Sequence, residues 1–129
     1  MPSAATLERF VARVEANAHA EAIEEFYAEH ATMQENLSPP RAGREALAEN
    51  ERRVMASAAG VRSRCVRPVF VEGDHVVIRW QFHFTWNDGS TTDIDELAWQ
   101  RWDHERIVEE RFYYDPAQLV RKDPGPTRS

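Results

Sequence analysis

The chain has 129 residues, which fits one domain, because two separate cores in that length would both be undersized. Hydrophobic residues make up 42% and charged residues 29%, near the averages of soluble globular proteins. The formal net charge of −6 excludes a general affinity for nucleic acid or anionic membranes, which need concentrated positive charge.

In chain order, the first half reads as helices. Leu7, Phe10, Val11 and Val14 recur on one helical face, with Ser3 or Thr6 as the cap. In a second amphipathic stretch Ala20, Ile23, Phe26 and Tyr27 share a face, and Asn17-Ala18-His19 connects the two. Ala31–Asn36 reads as a short strand that ends at Ser38-Pro39-Pro40. Gly43 to Ala59 returns to helical composition, and Gly60 is the expected stop.

From Val61 onward the pattern is β. Val61–Val71 is a strand interrupted by Pro68, which implies an edge position or a bulge. Glu72-Gly73-Asp74 turns the chain into His75–Trp86, the clearest strand, where Ile78, Trp80, Phe82, Phe84 and Trp86 alternate with polar residues. Asn87-Asp88-Gly89-Ser90 is a hairpin signal, Thr91–Trp102 is the return strand, and Ile107–Tyr114 is the last one. The chain therefore reads as one domain over 1–122 with a disordered tail over 123–129. Helices followed by an antiparallel meander define an α+β class with the helices gathered on one sheet face.

Centring the hairpin on Asp88-Gly89 pairs Ile78 with Trp99, Trp80 with Leu97 and Phe82 with Asp95. One face then collects Ile78, Trp80, Phe82, Phe84, Leu97, Trp99, Phe112 and Tyr114, together with Asp95 and Glu110. The opposite face takes Arg79, Gln81, His83, Glu96, Gln100, Glu109 and Arg111. The aromatic face must meet the helices to escape water, and a bulge in any strand would flip part of this map.

The order of elements resembles the nuclear transport factor 2-like superfamily. The resemblance rests on the short strand Ala31–Asn36, a Pro-Pro-x-x-Gly lead into the next helix, and three long antiparallel strands. The ending Arg106-Ile107-Val108-Glu109-Glu110-Arg111-Phe112-Tyr113-Tyr114-Asp115-Pro116 is similar to its SnoaL-like branch, and residues 5 to 120 are covered. Ketosteroid isomerases of this superfamily place a general-base Asp after an Ala-Thr-Val-Glu stretch. Here Ala31-Thr32-Met33-Gln34 is followed by Glu35. Their oxyanion-stabilising Tyr falls on Phe10 and their second donor on Leu97 or Ala98, so neither donor is retained. The acid of cyclases and limonene epoxide hydrolases on the last strand falls on Phe112, and the hydrolases' further Arg and Asp fall near Trp80 and Phe82. The resemblance also implies a curved antiparallel sheet forming a cone-like half barrel, with the N-terminal helices packed on the concave face, and a homodimer through the convex sheet face.

The expected site is an apolar pocket lined by Phe10, Tyr27, Trp80, Phe82, Trp99, Phe112 and Tyr114, with Glu35 as base and Asp95 or a Tyr as acid. The expected partner is a small apolar, carbonyl-bearing molecule, with no cofactor and no nucleic acid or membrane partner. The expected chemistry is proton transfer of the isomerase or cyclase type. The alternative is a non-catalytic ligand-binding or dimerisation module whose cavity is filled by its own side chains. His19, His30, His75, His83 and His104 share no spacing typical of a metal site. Cys65 is alone, which excludes an internal disulfide and fits a reducing cytoplasm, and Met1–Ala5 lacks the regions of a secretory signal.

Overall fold

Three helices and six strands follow one another in the computed structural model, which describes residues 1–123. Apart from Asp123, the expected disordered tail lies outside the described residues. Helix α1 (Ala4–Glu15) starts where Ser3 Oγ accepts the Thr6 N–H at 3.1 Å. Its face of Leu7, Phe10, Val11 and Val14 is buried. Helix α2 (His19–Phe26) follows after Asn17, whose φ of 64° turns the chain sharply.

Strand β1 (Tyr27–Glu35) begins earlier than the sequence pattern suggested, so Tyr27 belongs to the sheet and not to the helix. Parallel pairing with the last strand accounts for this, because Tyr27 lies opposite Ile107 and Glu35 opposite Phe112. A two-residue strand β2 (Arg41–Ala42), which sequence periodicity is too short to reveal, pairs with β1 before helix α3 (Arg44–Ala56). Gly60 does not end that helix. Ser57 takes its closing backbone bonds, and Gly60 lies inside strand β3 (Ala58–Glu72), paired with Thr85.

Strands β4 (His75–Trp86), β5 (Thr91–Asp103) and β6 (Arg106–Tyr113) complete a mixed sheet in the order β2-β1-β6-β5-β4-β3. Strand β3 is the edge, and its pairing slips between Val66 and Phe70, around Pro68, as that proline requires. The curved, unclosed sheet and its N-terminal helices make this an α+β fold with the core between them. Phe10 stands at its centre, with ring centroids 5.5 Å from Phe26, 5.9 Å from Trp102 and 6.4 Å from Trp80. Among the described residues, no helix is long and apolar enough to cross a membrane.

The β4–β5 register differs from the expected one by a single residue. Trp86 N–H bonds Ser90 O at 2.8 Å, and Gly89 adopts a φ of 86°. This is the three-residue loop in which a glycine in the left-handed region follows a tight turn, not the two-residue turn centred on Asp88-Gly89. Trp80 therefore faces Glu96, Phe82 faces Ile94 and Ile78 faces Ala98. A one-residue slip reverses every side chain of a strand. Leu97, Trp99 and Asp95 consequently point outward, against expectation, while Glu96 and Gln100 point inward.

A second irregularity restores β6. Trp102 pairs with Ile107 but Arg101 pairs with Glu109, leaving Val108 as the extra residue of a bulge. Past the bulge, Gln100 faces Glu110 and Ala98 faces Phe112. The two offsets cancel, so Glu110 and Phe112 face inward as expected.

Candidate functional site

A cavity of about 370 Å³ opens between the inner sheet face and the helices. One wall is the aromatic ladder of β4, in which Trp80, Phe82, Phe84 and Trp86 stand on one face at alternate positions. Neighbouring rings stack in two pairs, Trp80 on Phe82 at 5.7 Å and Phe84 on Trp86 at 4.9 Å. Helices α1 and α2 close the other side with Phe10, Val14 and Ile23. Phe112 joins from β6 and Ile94 from β5.

Four carboxylates line this largely apolar space: Glu35, Glu51, Glu96 and Glu110. Glu110 is 2% exposed, with both oxygens occupied. The Tyr27 hydroxyl donates to its Oε1, and Gln100 Nε2 donates to its Oε2 at 2.7 Å. Trp102 Nε1 in turn donates to Gln100 Oε1 at 3.0 Å, so a buried polar chain runs across the floor with every member satisfied. Burial pushes Glu110 up to about 7, against the two hydrogen bonds that hold it down. Burial, and then the Glu110 carboxylate, raise the Tyr27 hydroxyl well above its ordinary range.

Glu96 is different. Among the described residues its carboxylate has neither a hydrogen bond nor an ion pair. It is half-buried because it borders the cavity, yet protein surrounds it on most sides. Burial first, then Glu110, Glu35 and Glu51, push it up to about 8. Its two protonation states therefore interconvert near neutral pH, as a general acid or base requires.

Glu35, the residue favoured on sequence, borders the cavity at its mouth. Its side chain is 41% exposed and lies 3.8 Å from Arg41 Nη1. Asp95, the other expected catalytic group, is outside: Arg79 grips it bidentately at 2.9 and 2.6 Å, and this holds its carboxyl below the usual range. Of the expected lining residues, Phe10, Tyr27, Trp80, Phe82 and Phe112 border the cavity. Trp99 does not, because the hairpin register turns it outward against His75, with ring centroids 5.3 Å apart. Tyr114 lies past the end of β6, where its N–H bonds Asn36 Oδ1 at 3.0 Å, and it is not part of the lining. Burial, with Glu35 nearby, pushes its hydroxyl up to about 12.

Sequence reasoning missed Glu96, Glu51 and His19. The signal for Glu96 was present: Gly89 stands third in Asn87-Asp88-Gly89, which fits the three-residue loop as well as the shorter turn. His19 and Glu51 come together only through the packing of α2 on α3. His19 Nδ1 lies 3.3 Å from Glu51 Oε1 and its Nε2 2.8 Å from Ser63 Oγ. Ser63 Oγ donates to Asn17 Oδ1 at 2.7 Å, which leaves the ring Nε2–H as the donor to Ser63. This chain ties the helices to β3 at the rim of the cavity.

A curved, unclosed sheet that holds an acid-lined apolar cavity under N-terminal helices defines the α+β class of this domain. The SnoaL-like domain model matches residues 7–110, and the chain belongs to that family. A search of curated proteins found no match. Among solved structures, a SnoaL-like polyketide cyclase candidate from Mesorhizobium loti is 24% identical, with a TM-score of 0.72 over 86% of this chain and 97% of that one. A Catenulispora acidiphila protein of ketosteroid isomerase-like fold, solved in complex with trimethylamine, is 17% identical, with a TM-score of 0.74 over 91% and 90%. An LEH-like epoxide hydrolase of M. tuberculosis is 15% identical, with a TM-score of 0.72 over 88% and 83%. These likenesses establish the nuclear transport factor 2-like fold.

Proposed function

We propose that the domain binds a small, largely apolar molecule in the cavity and exchanges a proton with its polar end through Glu96. The observation that carries this reading is the unpartnered Glu96 carboxylate, pushed up to about 8, beside the Tyr27–Glu110 pair in an apolar cavity. Protonated, Glu96 donates a hydrogen bond to a carbonyl or an enolate; ionised, it removes a proton beside one. Glu110, held by Tyr27 and Gln100, keeps the floor in a single arrangement. Cyclase, isomerase-like and hydrolase names among the structural neighbours are compatible with such chemistry. An open cavity of about 370 Å³ argues against the self-filled alternative.

The test is hydrogen–deuterium exchange at the α-carbons of neutral and amine-bearing ketones in D2O, followed by NMR. Wild-type protein is expected to accelerate exchange of at least one member. Glu96→Gln should lose about 100-fold or more of that rate, and Glu35→Gln only a few-fold. Full activity in Glu96→Gln would sink the assignment.

A second reading concerns assembly. Leu97 and Tyr113 are paired across β5 and β6 on the outer face and are 46% and 44% exposed. This apolar pair supports a homodimer through the convex face, and light scattering at micromolar concentration should give twice the chain mass. A monomer would end that reading. The single buried Cys65, with no disulfide partner, suits a reducing cytoplasm.

A further inference from the structure

We infer that the molecule the cavity accepts is an organic cation, its positive nitrogen placed beside the Glu96 carboxylate against the aromatic wall of the β4 ladder. The inference rests on the cavity being a ligand site and names the charge of the ligand's polar end.

The lining is electrically lopsided. Its acids are Glu35, Glu51, Glu96 and Glu110, against Arg41 and His19. Arg41 lies beside Glu35 at 3.8 Å, and His19 beside Glu51 at 3.3 Å. What remains are Glu110, satisfied by the neutral donors Tyr27 and Gln100, and Glu96 with no partner among the described residues. A carboxylate in an apolar enclosure is costly unless a positive charge meets it. A neutral ligand is met only by the protonated acid, an anion makes ionisation costlier still, and a cation offsets the cost of the ionised form.

The wall opposite reinforces the choice. Trp80 and Phe82, like Phe84 and Trp86, turn their faces to each other in the two stacks, so the ladder meets the cavity as an apolar, water-excluding wall that strengthens a charge pair formed at Glu96. At the far end of the ladder the Arg121 guanidinium covers Trp86, 4.3 Å from the ring centroid. Glu96 lies directly across the strand pair from Trp80, which places the acid beside the inner end of the same ladder.

The titratable groups around Glu96 are Glu110 from β6, Glu35 and Tyr27 from β1, Glu51 from α3 and Tyr114 beyond β6, while Arg41 from β2 and His19 from α2 line the same cavity. With the cavity empty, Glu96 keeps its proton up to about pH 8. A bound cation favours the ionised form, so binding releases that proton and tightens as pH rises.

The test compares benzyltrimethylammonium, whose charge does not titrate, with its neutral isostere neopentylbenzene, by NMR of the full chain at pH 6 and pH 9. The cation is expected to bind at least about tenfold more tightly than the isostere at pH 9, and about tenfold or more tightly than it does itself at pH 6. Glu96→Gln, nearly the same in shape, is expected to erase the pH dependence and most of the preference. Equal or tighter binding of the isostere at both pH values overturns the cation inference while leaving the cavity as a ligand site. A cation preference unchanged in Glu96→Gln overturns the pairing with Glu96. If neither compound perturbs cavity residues, both the inference and the ligand-site reading fall.

Discussion

Asp95 and Glu96 are adjacent acids on one strand, and the fold gives them opposite fates. Asp95 faces out, is gripped by Arg79 and Gln81, and is held below the ordinary carboxylate range. Glu96 faces in, meets no cation among the described residues, and is pushed up to about 8. The chemical difference between the two side chains is one methylene, so environment accounts for the divergence. What sorts them is strand parity, which a single residue in the Asn87–Ser90 loop decides.

The same contrast recurs in Trp102 and Trp99, one inward and one outward on β5. Trp102 is fully buried and donates to Gln100, whereas Trp99 is only partly buried, against His75. Trp102→Ala should therefore cost about 3–5 kcal/mol in urea unfolding. Trp99→Ala should cost less than half as much. Equal losses would mean that the assigned parity is wrong.

Next in size is a pH effect. In the folded chain Glu96 holds its proton up to about 8, against 4.5 ordinarily, and Glu110 up to about 7. Between those limits the folded state binds more protons than the unfolded state, so both groups make stability fall as pH rises from about 4.5 to 8. Glu96→Gln removes its share. The variant should match wild type near pH 4 and exceed it by roughly 2–4 kcal/mol at pH 8 to 9, as read from thermal melts across the range. A variant less stable than wild type at pH 8 would contradict the burial of an unpartnered acid.

The smallest effect belongs to the outer face. Arg79 and Asp95 are 48% and 43% exposed, and a pair in such contact with water contributes little. Arg79→Ala should change stability by less than about 1 kcal/mol, and 1 M salt should weaken the pair further in wild type.

How legible all this was in the sequence differs by level. The α+β class, the helix faces and the aromatic ladder of β4 follow from periodicity, because a run as regular as Ile78 to Trp86 has one reading. The start of β1 at Tyr27 did not, since parallel pairing with a strand far along the chain overrides a locally helical pattern. The candidate site was half legible. Residues on β4 and β6 were placed on the correct face, β6 because the hairpin offset and the Val108 bulge compensate. Residues on β5 were inverted, so Asp95 stood in for Glu96, and Trp99 was expected in a lining it does not reach. His19 and Glu51 needed the packing of two helices, which no local pattern records.

The most direct measurement is a side-chain 13C NMR titration of Asp95 and Glu96 in the same sample. The inward, unpartnered placement predicts a Glu96 midpoint near 8, with Asp95 already ionised below the ordinary carboxylate range. A Glu96 midpoint at its ordinary 4.5 would contradict that placement and remove the acid from the proposed chemistry.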